Sequence, residues 1–227
     1  MWCVGGGAPD VAAHDRCLTP LVWRPQFAKR GSMPLCMSHL HSKLKENHHL
    51  RHGGRMQYGL FLKGIGLSLE DALRFWQTEF TKVGGLVALL RAVSRTDGVV
   101  ITQAMSAEDF VKRFAYNIRH NYGKEGRRKD YSAYNCTRII LGAPPGSGEY
   151  HGCPFRHWQP NHLSAALSKM QIGGSDSAQI MDLVGTKQYQ IACRRLFEAT
   201  HSAVEAFPIV VGCSTVVPWI FSTGALR

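Results

Sequence analysis

The stretch PLCMSHLHSKLKENHHLRHGGRMQYGLFLKGIGLSLEDALRFWQTEF, residues 34–80, decides the fold class. Met33, Met37, Leu40 and Leu44 recur at steps of four, three and four, which places them on one face of a helix. That helix is expected to stop near Gly53-Gly54, where paired glycines suit a helix C-terminus. Ser68 followed by Asp71 has the spacing of an N-terminal cap. Leu69, Ala72, Leu73, Trp76 and Phe80 then mark one buried face.

The same signals recur outward from this stretch. Ser106 with Asp109 precedes Phe110 and Phe114, and Asn161 is placed to cap a helix buried through Leu163, Ala166, Leu167 and Met170. Tyr189, Cys193, Leu196, Phe197 and Thr200 mark one more helical face. Only short runs such as 137–141 read as strand. A mainly α domain with little β structure is expected, with polar loops at 120–135 and 142–152. Residues 1–32 read as irregular, 83–103 have no clean period, and the tail from Phe207 is β-prone and apolar.

A chain of 227 residues with 44% hydrophobic and 19% charged residues can bury a real core and is not a disordered tail. Lysine and arginine number 27 against 16 acidic residues, for a formal charge of +11. The pI of about 9.6 points to a polyanionic partner, nucleic acid or an acidic membrane surface. The N-terminus lacks a basic start before an apolar core, so it does not read as a signal peptide. The apolar stretches 83–93 and 207–221 are too short to span a bilayer. Nothing in the sequence calls for a membrane. Seven cysteines, without an export signal or a Cys-x-x-Cys pair, favour buried thiols or metal ligands over a disulfide framework.

Four constellations could carry chemistry. In RHGGRMQYGLFLKGIG, residues 51–66, Arg51, His52, Arg55 and Lys63 surround adjacent glycines. Arg51 and Arg55 could fork onto phosphate while glycine amides approach it; a solvated basic face beside a helix cap fits as well. AYNIRHNYGKEGRRKDY, residues 115–131, interleaves Tyr116, Tyr122 and Tyr131 with six cationic or imidazole side chains. It reads equally as a stacking surface for bases and as a solvated loop. The histidines at 39, 41, 48, 49 and 52 raise a zinc site, but His39 and His41 would face different sides of a helix. Cys153 precedes a proline as cluster ligands of ferredoxins do, yet the spacings among Cys36, Cys136, Cys153 and Cys193 match no short metal motif.

The 34–80 stretch, YNIRHNYGKEGRRKDY, YHGCPFRH and QIMDLVGTKQYQIAC together resemble the C-terminal iron–sulfur domain of the eukaryotic DNA primase large subunit. The resemblance runs from residue 33 to about 205, apart from 83–103. It implies a helical domain holding one [4Fe–4S] cluster on Cys36, Cys136, Cys153 and Cys193; Cys3, Cys17 and Cys213 fall outside the matching motifs. It also implies a non-catalytic subunit that binds template DNA and the 5′-triphosphate end of the RNA primer. Those contacts carry over to Arg51, His52, Arg55, Lys63, Asn117 and His120, with Tyr58 and Tyr116 as aromatic positions near the nucleic acid. The implied partners of the full-length protein are the small catalytic primase subunit and DNA polymerase alpha, in the nucleus. One departure stands out: Phe114 occupies a position where the family usually has tyrosine.

The family's N-terminal domain finds no counterpart, so a fragment or truncated gene product that does not prime by itself is expected. Segment 83–103 reads as an insertion between Lys82 and Met105. Its first residue, Val83, has codons starting GT, and its last, Gln103, can be encoded by CAG, the boundary letters of a retained intron. The rival classes are an iron–sulfur redox or DNA-repair enzyme, which needs an open iron position, and a zinc-dependent nucleic-acid adaptor.

Overall fold

The apolar steps of Leu40 and Leu44 become the buried face of α1 (Leu35–Asn47). The computed structural model describes residues 33–82 and 105–201. Cys3, Cys17, Cys213 and the expectations for 1–32, 83–103 and the tail lie outside them. Helix α1 ends well before Gly53-Gly54, at His48, which takes the left-handed conformation that terminates a helix. The two glycines instead occupy the first turn of α2 (His52–Gly64).

Helix α3 (Leu69–Phe80) starts as its sequence indicates, with the Ser68 hydroxyl accepting the Asp71 amide N–H, and it buries Ala72, Trp76 and Phe80. Ser106 caps α4 (Ala107–Phe110) in the same way. The helical path continues through a π-helical stretch, Val111–Ala115, into α5 (Tyr116–Asn121). The 137–141 run is not a strand: the Asn135 side chain accepts the Arg138 N–H and turns it into α6 (Cys136–Leu141). Then come α7 (Pro154–His157), α8 (Pro160–Lys169), α9 (Gly174–Gly185) and α10 (Tyr189–His201). Helix α8 starts at Pro160 with Gln159 as N-cap, so Asn161 is not the cap, and Met170 is exposed. Among the described residues the β content is a single bridge, Tyr122 to Asp130, within the expected polar loop. The fold is mainly α.

Two hydrophobic cores share the chain. The first joins α1, α2, α3 and the 107–121 helical path around Tyr58, Trp76, Phe80 and Phe110. The second joins α7 through α10 around Phe155, Leu163, Leu167 and Ile180, and takes Leu35 from the start of α1. Beside the first core, the Glu79 carboxylate is buried and accepts hydrogen bonds from Lys45 and Lys82. Burial alone raises its pKa, but the bonds and charges of the two lysines outweigh that and hold it below the ordinary range. A depressed native pKa contributes stability that is full above the unfolded value, about 4.3, and is lost as pH falls through the folded value. Glu79→Gln is expected to cost about 1–2 kcal/mol at neutral pH and to flatten the acid limb of stability against pH, as read by denaturant unfolding across pH 3–7.

Candidate metal centre and nucleic-acid interface

Three of the four motif cysteines stand at the start of a helix and the fourth lies within one. Cys36 lies in the first turn of α1, Cys136 opens α6, Cys153 immediately precedes α7 and Cys193 sits on α10. All four are free, half-buried thiols. Burial comes first, then the charges of Cys193, Cys153 and Cys136, in pushing the Cys36 thiol well above its ordinary range. Burial, and then Cys136 and Cys153, push Cys193 up to about 12. Burial likewise raises Cys136 and Cys153. The four sulfurs therefore share one electrostatic environment, in which joint ionisation needs positive charge among them. The fold brings together residues as distant as Cys36 and Cys193.

Backbone amides lie near three of these four sulfurs, those of Cys36, Cys153 and Cys193. Cys36 is favoured as thiolate by the Met37 amide, Cys193 by that of Leu35, and Cys153 by those of Phe155 and Arg156. Amide donors of this kind orient thiolate ligands and stabilise their charge, so the donor set suits a thiolate-bound metal cluster. Among the described residues, no group of three or more His, Cys, Asp or Glu side chains is set to hold a single metal ion.

Gln57, which lies in the 51–66 stretch without being one of its candidate residues, clasps Gly152, the neighbour of Cys153. Its buried amide receives the Gly152 N–H at 2.8 Å and donates to the Gly152 carbonyl at 3.3 Å. The Cys153 N–H donates to His157 Nδ1 at 3.0 Å. Gly152 has φ +94° and the His157 ring where a Cβ would lie, so only glycine fits there. Gln57→Leu leaves both Gly152 polar groups buried without a partner. Thermal melting is expected to show a loss of about 2 kcal/mol.

The cationic face forms around the first turn of α2. Arg51 is the N-cap residue; no side chain caps the turn and no acidic residue lies in it. Arg51 and His52 are exposed, and the Arg51 guanidinium lies 3.6 Å from where a Cβ on Gly148 would stand. Arg55 donates from Nη1 to the Leu50 carbonyl at 2.8 Å, and its guanidinium carbon lies 4.8 Å from the Phe114 ring centre. An open cleft runs between α2, α3 and the 107–121 path, with His52, Arg55, Asn117 and Asn121 among its polar lining and Ala72, Trp76 and Phe80 among its apolar wall. Tyr116 is 49% exposed and stacks over His120, which in turn lies 5.0 Å from the Tyr131 ring.

Three of the expected assignments change. Gly53 and Gly54 serve packing rather than an open amide cradle: a Cβ on Gly53 would stand 2.7 Å from His151 Nδ1, and one on Gly54 3.1 Å from Leu40. Tyr58 is fully buried, with its hydroxyl 2.7 Å from His41 Nδ1, so it has no face to offer a base. Lys63 is engaged inside the protein. Its ammonium donates to the Asn121 carbonyl, the Asp130 carboxylate and the Tyr131 carbonyl at 2.6–2.9 Å, pinning the 121–131 loop to α2. All three of its protons are spent on that loop.

The described residues form a helical domain with four free cysteines at or near two hydrophobic cores and a cleft lined in part by His52, Arg55 and Asn117. Residues 27–218 match the family model for the C-terminal domain of the eukaryotic and archaeal DNA primase large subunit. The chain belongs to that family. It is 50% identical over 171 residues to the mouse DNA primase large subunit, spanning 75% of this chain and 30% of that one. It is 49% identical over 172 residues to the probable DNA primase large subunit of Arabidopsis thaliana, spanning 76% and 33%. The Saccharomyces cerevisiae DNA primase large subunit is 40% identical over 185 residues, spanning 82% and 31%. The chain thus spans about a third of the length of these relatives.

Proposed function

We propose that this domain is a non-catalytic part of a primase, gripping the 5′-triphosphate end of an RNA primer paired with template DNA. The observation that carries the reading is the cleft itself. His52 and Arg55, in the uncapped first turn of α2, line it together with Asn117; exposed Arg51 is the N-cap residue beside them, and Tyr116 and His120 stack on the helix that carries Asn117. A triphosphate concentrates negative charge at one end of a strand, which suits forked guanidinium groups and a helix N-terminus together. The stacked rings provide a sequence-tolerant face for the terminal bases, while Arg127, Arg128 and Lys129 on the adjoining exposed loop supply charge for backbone phosphates.

In the same reading Cys36, Cys136, Cys153 and Cys193 hold a [4Fe–4S] cluster, supported by the amide donors around them. The cluster, when bound, ties the two cores together and neutralises the gathered thiolates. Phosphodiester bonds are then made by a separate small catalytic subunit. The longer protein joins that subunit and DNA polymerase alpha, and works in the nucleus.

The test is a binding comparison of two primer–template junctions that differ only in a 5′-triphosphate or a 5′-hydroxyl on the primer. The triphosphate junction is expected to bind at least about tenfold tighter at matched salt, since even one charge-assisted contact is worth roughly 1.5–3 kcal/mol. Both affinities should fall with salt, by about one unit of slope per phosphate neutralised. Equal binding of the two junctions refutes the site.

A further inference from the structure

The four thiols differ in how firmly the fold holds them. Cys36 packs against the first core, Cys193 against the second and Cys153 against both, while Cys136 is not among the described residues packed on either. Amide donors lie near the same three sulfurs, and none of the described amides favours the Cys136 thiolate. Cys153 has further support: Gln57 clasps its neighbour Gly152, and its own N–H donates to His157.

The element that carries Cys136 is itself lightly fastened. Helix α6 is six residues long, and Ile139 is its one buried side chain; Thr137, Arg138 and Leu141 are exposed. Gln190 also ties it at the Thr137 hydroxyl, and Arg156 at the Ile140 carbonyl. Residues 142–148, GAPPGSG, follow as a largely exposed stretch rich in glycine and proline. A short helix with one apolar anchor opens at lower free energy than the 13-residue helices that carry Cys36 and Cys193.

We propose that α6 is the movable corner of the metal centre, and that the iron held by Cys136 is the one the protein releases on oxidation. The proposal rests on the reading that these four cysteines hold a [4Fe–4S] cluster. A one-electron oxidant such as ferricyanide takes one electron from the 2+ cluster and becomes ferrocyanide. The resulting 3+ cluster divides into a [3Fe–4S] cluster of charge 1+ and one Fe²⁺. The Cys136 thiolate leaves with α6 and takes a proton from water, while Cys36, Cys153 and Cys193 keep the three remaining irons. By the same geometry Cys136 is the last thiolate to engage when the cluster is loaded.

The experiment uses the whole 227-residue chain, purified anaerobically with its iron measured first. Cysteines that react in the intact protein are blocked with unlabelled maleimide. Ferricyanide is then added, and isotope-labelled maleimide is followed at each cysteine by mass spectrometry. Cys136 is expected to react at least about tenfold faster than Cys36, Cys153 or Cys193, the ratio set by local opening of one element. Release of about one iron per chain and an EPR signal of the three-iron type should grow in step with it. Ile139→Val trims the one apolar anchor of α6 and should speed labelling of Cys136 by about two- to tenfold. Ile180→Val, an equal trim in the second core, should leave that rate as in wild type. Labelling that starts at another of the four cysteines, or at all four together, overturns the proposal, as does an unchanged Cys136 rate in Ile139→Val. Wild type without iron before oxidation overturns the cluster reading instead, so the two failures are told apart.

Discussion

Cys193→Ser is expected to give a colourless protein whose C-terminal helices are open to proteolysis. The cause lies in how the cores are joined. Cys36 and Cys136 belong to helices beside the first core, Cys193 sits on α10 against the second, and Cys153 touches both. Besides Leu35, described groups that reach across include Gln57 at Gly152, His39 at the edge of Trp158, and Gln190, whose Nε2 donates to the Thr137 hydroxyl at 3.3 Å. A centre bound by all four thiols closes the long loop between residues 36 and 193, a closure each core cannot enforce by itself. Removing one ligand should therefore unfasten α7 through α10 while α1, α2 and α3 stay packed. Hydrogen exchange across 154–201 is expected to accelerate by about 100-fold or more, with much smaller changes across 35–80. Full metal content, or unchanged protection, in Cys193→Ser contradicts this account.

Arg55→Ala is expected to erase the preference for a 5′-triphosphate, weakening the triphosphate junction by roughly 10–100-fold and the hydroxyl junction far less. Arg55 is held in place from two sides. The Leu50 carbonyl and the Phe114 face fix its guanidinium at the cleft, and burial lowers its pKa without removing its charge. Where the family usually has tyrosine, Phe114 offers only its ring face, so the guanidinium forks remain available to phosphate oxygens. Arg55→Lys keeps a charge but loses the fork and the stacking, and should restore only part of the preference. Lys129→Ala, on the exposed loop, should lower both affinities alike and reduce the salt slope by about one unit. A triphosphate preference surviving in Arg55→Ala, with the fold intact by melting, removes Arg55 from the site.

Periodicity and capping made much of the fold readable. The faces of α1 and α3, and the Ser68 and Ser106 caps, follow from short-range chemistry and stand where the sequence places them. The misreadings share a physical origin. His48 ends α1 in a conformation usually taken by glycine, so Gly53-Gly54 attracted a stop that tertiary packing puts to other use. The β-branched run after Cys136 reads as strand, although Asn135 three residues before Arg138 carried the signal of a helix start. Helix α9 begins within the Gly173-Gly174 pair, with no side-chain cap, and left no such mark.

The candidate site was legible by residue type more than by exposure. His52, Arg55 and Asn117 line the cleft, and Arg51 is the exposed N-cap residue next to His52. Tyr58 does not line it, and its spacing of four from both Gly54 and Leu62, on the buried stripe of α2, could have revealed that. The triple engagement of Lys63 and the Gly152 clasp of Gln57 depend on partners 58–95 positions away, which no local pattern encodes.

The most direct measurement of the central claim is iron and acid-labile sulfide analysis, with the visible spectrum, on the anaerobically purified wild-type chain. The account expects a brown protein carrying about four iron and four sulfide per chain, bleached by substitution of any one of Cys36, Cys136, Cys153 or Cys193. A colourless, folded wild-type protein with one zinc, or with no iron, would contradict it.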